Sequence, residues 1–190
     1  HTAADIEKTM ALAMSMGFSH VNMDLIAGLP ADTPEGFRRT LDKCLSFGAD
    51  NITVHTLALK KGSRILLEGQ PIPSAEAVGE MLDYSISALR GADFHPYYLY
   101  RQKYMSGSFE NTGWCRPGYT GLYNIYMMEE LHTILSLGGG GMNKINLPAE
   151  KLARYHNPKI PQDYISRIDT ILQQKDEIFS LLRQIREQNP

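Results

Sequence analysis

His20-Val-Asn-Met-Asp-Leu-Ile-Ala-Gly-Leu-Pro30, continued by Ala31-Asp-Thr-Pro-Glu35, joins a short strand to a helix through a glycine loop. Alternation over residues 20–26 sends His20, Asn22 and Asp24 to one face and Val21, Met23 and Leu25 to the other. The apolar face packs on a core. The polar face is not core, and it reads as the wall of a site with Asp24 as its carboxylate. Thr33-Pro34-Glu35 then opens a helix with a capping threonine, a proline at the first helical position and an acid in the first turn. That helix is expected to end at Gly48.

Upstream, Thr2-Ala-Ala-Asp5 has the form of a capping box, and Ile6, Met10, Ala13 and Met14 mark the buried stripe of a helix ending near Gly17. Downstream, residues 51–59 are rich in β-branched side chains and read as a strand. After a loop holding Lys60, Lys61, Gly62 and Arg64, and a proline-rich linker, Ser74 caps a helix with the stripe Val78, Leu82, Ile86 and Leu89. Residues 95–101 give a third strand. Helix and strand alternating in this way are the mark of an α/β fold, with βα units around a parallel sheet that is open or closed into part of a barrel. Chemistry in such folds collects at the carboxyl ends of the strands.

The second half is less regular. Residues 104–121 hold Gly, Ser, Asn and Tyr with one Trp and read as a long functional loop or lid. A short helix over 123–132 and a strand over 133–137 are expected next, the strand ended by Gly138 to Gly141. Beyond Pro161, Tyr164, Ile168, Ile171, Ile178, Leu182 and Ile185 mark a long amphipathic helix packed on the domain, with Lys175 interrupting its seam.

At 190 residues and 43% hydrophobic content, the chain is long enough to bury a substantial core. A net charge of −2 supplies no global field for nucleic acid or an anionic membrane, so basic clusters are judged singly. There is no run of about 18 apolar residues and no signal-peptide pattern, which makes a cytoplasmic protein the default expectation. Two cysteines are too few for a disulfide framework. Cys44, at helical spacing with Phe37, Leu41 and Leu45, reads as a core thiol, and Cys115 as an incidental loop thiol.

Asn22-Met-Asp-Leu-Ile-Ala-Gly-Leu-Pro30 with Thr33-Pro-Glu35 resembles a segment of the oxygen-independent coproporphyrinogen III oxidases, radical S-adenosylmethionine (SAM) enzymes of haem biosynthesis. Thr53-Val-His-Thr-Leu-Ala-Leu-Lys-Lys-Gly-Ser-Arg64, Pro96-Tyr-Tyr-Leu-Tyr-Arg-Gln-Lys103, Glu110-Asn-Thr-Gly113, Pro117-Gly-Tyr119 and Tyr123-Asn-Ile-Tyr-Met-Met-Glu-Glu130 resemble the subgroup of HemZ-type coproporphyrinogen dehydrogenases. The resemblance covers most of residues 1–160.

It implies a partial barrel of six βα units whose lumen holds SAM and a 4Fe–4S iron–sulfur cluster. The family binds that cluster through a Cys-x-x-x-Cys-x-x-Cys loop after the first barrel strand, and this chain has no such motif. Cys44 and Cys115 cannot replace three closely spaced thiolates. The expectation is a C-terminal piece in which His1 lies mid-barrel, residues 1–145 forming the second half of the barrel and 146–190 a helical extension. Such a piece is expected to be catalytically silent alone, with no metal ligand and no assigned catalytic residue.

On the same resemblance, Asp24 matches the family's acidic residue beside SAM; a carboxylate accepts hydrogen bonds from a ribose hydroxyl or an ammonium. Gly28 either lets backbone approach the ligand or serves as a turn glycine. Ala58 matches a small residue near adenine, while His55, on the opposite alternation from Ala58, reads as packed. Gly138, Gly139 and Gly140 resemble a glycine segment that borders SAM or substrate.

The implied substrate is a propionate-bearing porphyrinogen, for which Arg101 and Lys103, beside Tyr97, Tyr98 and Tyr100, are candidate carboxylate binders. Lys60, Lys61, Arg64 and Lys144 read equally as rim cations or as solvated side chains. The implied reaction cleaves SAM reductively to a 5′-deoxyadenosyl radical, which takes a hydrogen from a propionate side chain. Loss of an electron and of carbon dioxide then leaves a vinyl group, turning coproporphyrinogen III into protoporphyrinogen IX without oxygen. An electron donor is implied as a partner; nucleic acid and a membrane span are not. Two other readings stand beside this one. A radical-SAM-like haem-binding carrier would use the same cavity, and an ordinary βα-barrel enzyme would bind a phosphate ligand on glycine amides at a helix start, at residues 138–141.

Overall fold

The structure, a computed structural model, describes residues 2–18, 20–59, 62–100, 109–148 and 151–188. The chain forms two compact units, His1–Leu122 and Tyr123–Pro190.

In the first unit, capped helices alternate with strands as the sequence predicts. Thr2 and Asp5 form a capping box at α1 (Ala3–Ser15). Thr33 accepts the Gly36 N–H at 3.0 Å to start α2 (Pro34–Ser46). Ser63 starts the one-turn α3 (Arg64–Leu67), and Ser74 accepts the Ala77 N–H at 3.2 Å to start α4 (Ala75–Gly91). Between them lie β1 (Asn22–Ala27), β2 (Asn51–Thr56) and β3 (His95–Tyr100), and β4 (Asn111–Cys115) follows. The sheet order is β1-β2-β4-β3. β1 and β2 pair in parallel and β4 is antiparallel to both its neighbours, so β1, β2 and β3 all run the same way.

Leu25, Ala27, Ile52, Val54 and Trp114 project from one face of this sheet into a core completed by Phe37, Leu41 and Cys44 of α2 and by Val78, Met81 and Leu89 of α4. Cys44 is thus a core thiol, and burial pushes it above its ordinary pKa.

β4 was not legible in the sequence. It lies inside the stretch expected to be a loop, because Asn, Thr and Gly disguise a strand whose glycine has a packing reason. A Cβ built on Gly113 would collide with the ring of Tyr98, its cross-strand partner. Cys115 is accordingly a buried strand residue and not a loop thiol. Residues 101–108, which carry part of the expected lid, lie outside the described residues.

The second unit contains α5 (Leu122–Glu129), the antiparallel hairpin β5 (Met142–Leu147) and β6 (Lys151–His156), then α6 (Pro161–Ser166) and α7 (Ile168–Gln188). The strand expected at 133–137 reduces to a single bridge between Ile134 and Lys144. Its backbone is claimed by side chains instead of a ladder: Ser136 N–H donates to Asn143 Oδ1 at 2.9 Å, and Ser136 carbonyl accepts Lys175 Nζ at 2.7 Å. Lys175, the residue that interrupts the apolar seam, is therefore the anchor of α7, and it also donates to Asn143 Oδ1 at 3.0 Å. The long helix expected after Pro161 is broken at Arg167, which caps α6 before α7 begins. A boundary at 145/146 would cut through β5, and residues 146–190 carry β6 as well as helices.

Candidate functional site

The period-two register places Asn22, Asp24 and Ile26 of β1 on the same face as Asn51, Thr53 and His55 of β2, the face turned away from the α2 and α4 core. Gly113 and Asn111 of β4, with Tyr98 and Tyr100 of β3, continue that face across the sheet. Its polar character follows from the alternation in the sequence. At the carboxyl ends of β1 and β2 it opens into a cleft of about 420 Å³ lined by Asp24, Ile26, His55, Thr56, Leu57, Ala58, Tyr100 and Asn111.

Asp24 is held from two sides. Asn22 Nδ2 donates to its Oδ1 at 2.7 Å, and Thr53 Oγ1 in turn donates to Asn22 Oδ1 at 3.2 Å. His55 Nε2 stands 3.8 Å from Asp24 Oδ2, an ion-pair separation longer than a hydrogen bond. The His55 ring holds the Asp24 carboxyl below its ordinary value of 3.8; partial burial opposes this, and Asn22 and Thr53 add to the lowering. Asp24 is therefore an ionised acceptor at neutral pH, with a side chain 61% exposed to the cleft and solvent. Burial, with a contribution from the Asp24 charge, raises the Tyr98 phenol above its usual range.

The strand end beneath the cleft is secured by Asn111, whose Oδ1 accepts the Thr56 N–H at 2.8 Å. Thr56 is 3% exposed, and its hydroxyl has no hydrogen-bond partner. Thr56 shares the alternation of Ile52 and Val54 and pairs with Ala27, so this hydroxyl lies toward the core side of the sheet.

Sequence reasoning missed His55. The parity argument assumed an extended chain through Ala58, but β2 ends at Thr56, and His55 and Ala58 both line the cleft. The signal that could have found it is its position two residues beyond Thr53, the cross-strand partner of Asp24. Asn111 and Thr56 were also missed.

The other expected site residues fall as follows. Ala58 lines the cleft. Gly28 turns the chain at φ +90°, and a Cβ there would meet Val78 Cγ2 at 3.1 Å, so its requirement is the turn and packing on α4. Gly138, Gly139 and Gly140 lie in the second unit, where the Gly138 N–H donates to the Tyr164 hydroxyl at 3.2 Å and the Gly140 N–H to the Pro158 carbonyl at 2.7 Å. The strand β5 follows this run, and no helix starts there. Both facts remove the premise of the phosphate-cradle reading.

Lys144 is not a rim cation: it sits within β5, 6% exposed, bonded to Glu130 Oε1 at 2.9 Å and to the Met127 carbonyl at 3.0 Å. Arg64 is engaged with Glu68 on the surface of α3 at 2.7 Å. Lys60, Lys61, Arg101 and Lys103 lie outside the described residues.

No protein-family model matches the chain. The oxygen-independent coproporphyrinogen-III oxidase-like protein HemZ of Bacillus subtilis aligns with it at 34% identity over 98% of this chain and 37% of its own length. Along nearly its whole length the chain is thus similar to an oxygen-independent coproporphyrinogen-III oxidase-like protein. It spans somewhat more than a third of the HemZ relative it matches. The heme chaperone HemW of Haemophilus influenzae is 21% identical over 87% of this chain and 40% of that protein.

Among solved structures, the coproporphyrinogen III oxidase HemN from Escherichia coli, described as a radical SAM enzyme, superposes with a TM-score of 0.63 at 19% identity. It covers 90% of this chain and 38% of that one. The shared fold is α/β, represented here by an open sheet with helices on one face.

The resemblance read from the sequence implies two groups, SAM and an iron–sulfur cluster, and the residues present fit one of them. An ionised carboxylate and apolar walls at Ile26, Leu57 and Ala58 suit a polar, partly aromatic ligand such as SAM. The iron–sulfur cluster has no fit: both cysteines are buried, and among the described residues no three His, Cys, Asp or Glu side chains group as metal ligands.

Proposed function

We infer that this chain forms the SAM-binding sheet of a radical SAM oxidoreductase that converts coproporphyrinogen III to protoporphyrinogen IX by oxygen-independent oxidative decarboxylation in haem biosynthesis, with the cytoplasm as its compartment. The observation that carries this is alignment with HemZ along 98% of the chain, in which the Asp24 segment lies on the open face of the sheet.

Asp24 would hold the ligand, accepting hydrogen bonds from the ribose hydroxyls or the ammonium of SAM, because it is ionised and presents free lone pairs to the cleft. Ile26, Leu57 and Ala58 would flank the adenine and exclude water from it. When bound, SAM supplies the 5′-deoxyadenosyl radical that takes a hydrogen from a propionate side chain. The chain's own contribution is binding and orientation; no proton-transfer base is assigned. Arg101 and Lys103 are the proposed carboxylate binders for the porphyrinogen. The cluster is proposed to belong to the whole protein, and the electron donor to be its partner.

A second reading, a haem-binding carrier on the same scaffold, is favoured by the match to HemW. The test is incubation of the whole protein, cluster reconstituted, with coproporphyrinogen III, SAM and a low-potential reductant under anaerobic conditions. Vinyl-bearing product with consumption of SAM supports the oxidase. No product together with stoichiometric haem binding selects the carrier.

A further inference from the structure

His55 is the residue of the cleft that no family position accounted for. It sits on β2 one step diagonally from Asp24 on the parallel neighbour: Asp24 is opposite Thr53, and His55 is opposite Ile26. Both side chains reach the same cleft, and Nε2 lies 3.8 Å from Asp24 Oδ2, while Asn22 already occupies Oδ1 at 2.7 Å. Among the described residues, His55 is the only basic side chain within ion-pair range of Asp24. The Asp24 side chain is 61% exposed, so without a second support its carboxyl plane would be free to turn about its last bond.

We propose that His55 is a positioning residue for Asp24: it fixes the second carboxylate oxygen so that the carboxylate plane faces a vicinal diol, the 2′- and 3′-hydroxyls of an adenosyl ligand. The inference rests on the reading of the cleft as an adenosyl site. Asn22 takes one lone-pair direction on Oδ1 and His55 stands at ion-pair distance from Oδ2, so each oxygen keeps lone pairs that would suit two neighbouring hydroxyl donors better than one. At 3.8 Å the imidazole acts on the carboxylate as a charge partner and not as a hydrogen-bond donor.

The test compares dissociation constants of adenosine and 2′,3′-dideoxyadenosine for the 190-residue chain and its H55F and H55Q variants, by calorimetry or ligand-observed NMR, with melting temperatures as a check on folding. The wild-type chain is expected to prefer adenosine. H55F should lose about tenfold in adenosine affinity, the scale of one hydrogen bond to a charged group, while its dideoxyadenosine affinity stays unchanged. H55Q, which keeps a polar side chain and no charge, should lose the preference as H55F does.

An H55F variant with the wild-type preference overturns the proposal and leaves the adenosyl reading intact. Equal loss for both nucleosides in H55F and H55Q also overturns it, since that is the mark of a merely structural role. A wild-type chain that binds neither nucleoside, or both equally, overturns the adenosyl reading and this inference with it.

Discussion

Asn111 on β4 accepts the backbone N–H of Thr56 at 2.8 Å, a side-chain bond that takes over where the β2–β4 ladder stops. The paired residues of that ladder run from Asn51 with Cys115 to Val54 with Thr112, so the last two residues of β2 extend beyond it. Asn111 therefore fixes the end of the strand from which His55 and Thr56 reach the cleft.

Replacing Asn111 by Ala should leave the Thr56 amide buried without a partner. The cost is expected at about 1–3 kcal/mol, read as a lower urea midpoint with an unchanged m-value. Ligand affinity at the cleft should fall with it, because the floor is no longer fixed.

Gly113→Ala tests the packing of β3 on β4. The added methyl group would run into the Tyr98 ring, and displacing that ring should cost roughly 1–3 kcal/mol. Removing the ring as well, in G113A/Y98A, should give a loss smaller than the sum of the two single losses. Strict additivity in chemical denaturation would contradict the contact.

In the second unit Glu130 bonds Lys144 at 2.9 Å and receives Arg154 NH2 at 2.9 and 3.0 Å on its two oxygens. Lys144 first, and Arg154 with it, holds the Glu130 carboxyl below its ordinary value of 4.5. A carboxylate whose folded value is depressed stabilises the fold above the unfolded value, and that contribution disappears as pH falls through the folded one. Thermal melting should thus show a pH-dependent loss that begins near pH 4.5 and continues below it, and E130Q should lack this component. At neutral pH E130Q should be destabilised, since it leaves the nearly buried Lys144 ammonium with only a carbonyl and a neutral amide.

Much of the first unit was legible before the structure, for identifiable reasons. Thr2, Thr33 and Ser74 are caps whose side chains bond the amides that a helix start leaves open, and they act locally. The alternation that put Asn22 and Asp24 opposite Met23 and Leu25 is set by backbone geometry alone. What was not legible depends on partners distant in sequence. β4 reads as loop because Gly113 makes room for Tyr98. The strand expected at 133–137 fails because Asn143 and Lys175 capture the backbone of Ser136. His55 reads as packed, and its side chain is indeed largely covered, but that it also lines the cleft with Ala58 is hidden because parity applies only while the chain stays extended, and β2 ends at Thr56. Lys144 carries the charge of a rim residue, and only the fold shows that Glu130 neutralises it.

The central claim is that the cleft at the ends of β1 and β2 takes SAM through Asp24. Titration of the chain with SAM at neutral pH, alongside the D24N variant, tests it most directly. The account predicts saturable binding that D24N weakens by about tenfold or more, the loss of a charge-assisted hydrogen bond, with the melting temperature in the absence of ligand little changed. Equal affinity for the two proteins, or no saturable binding to either, would contradict it.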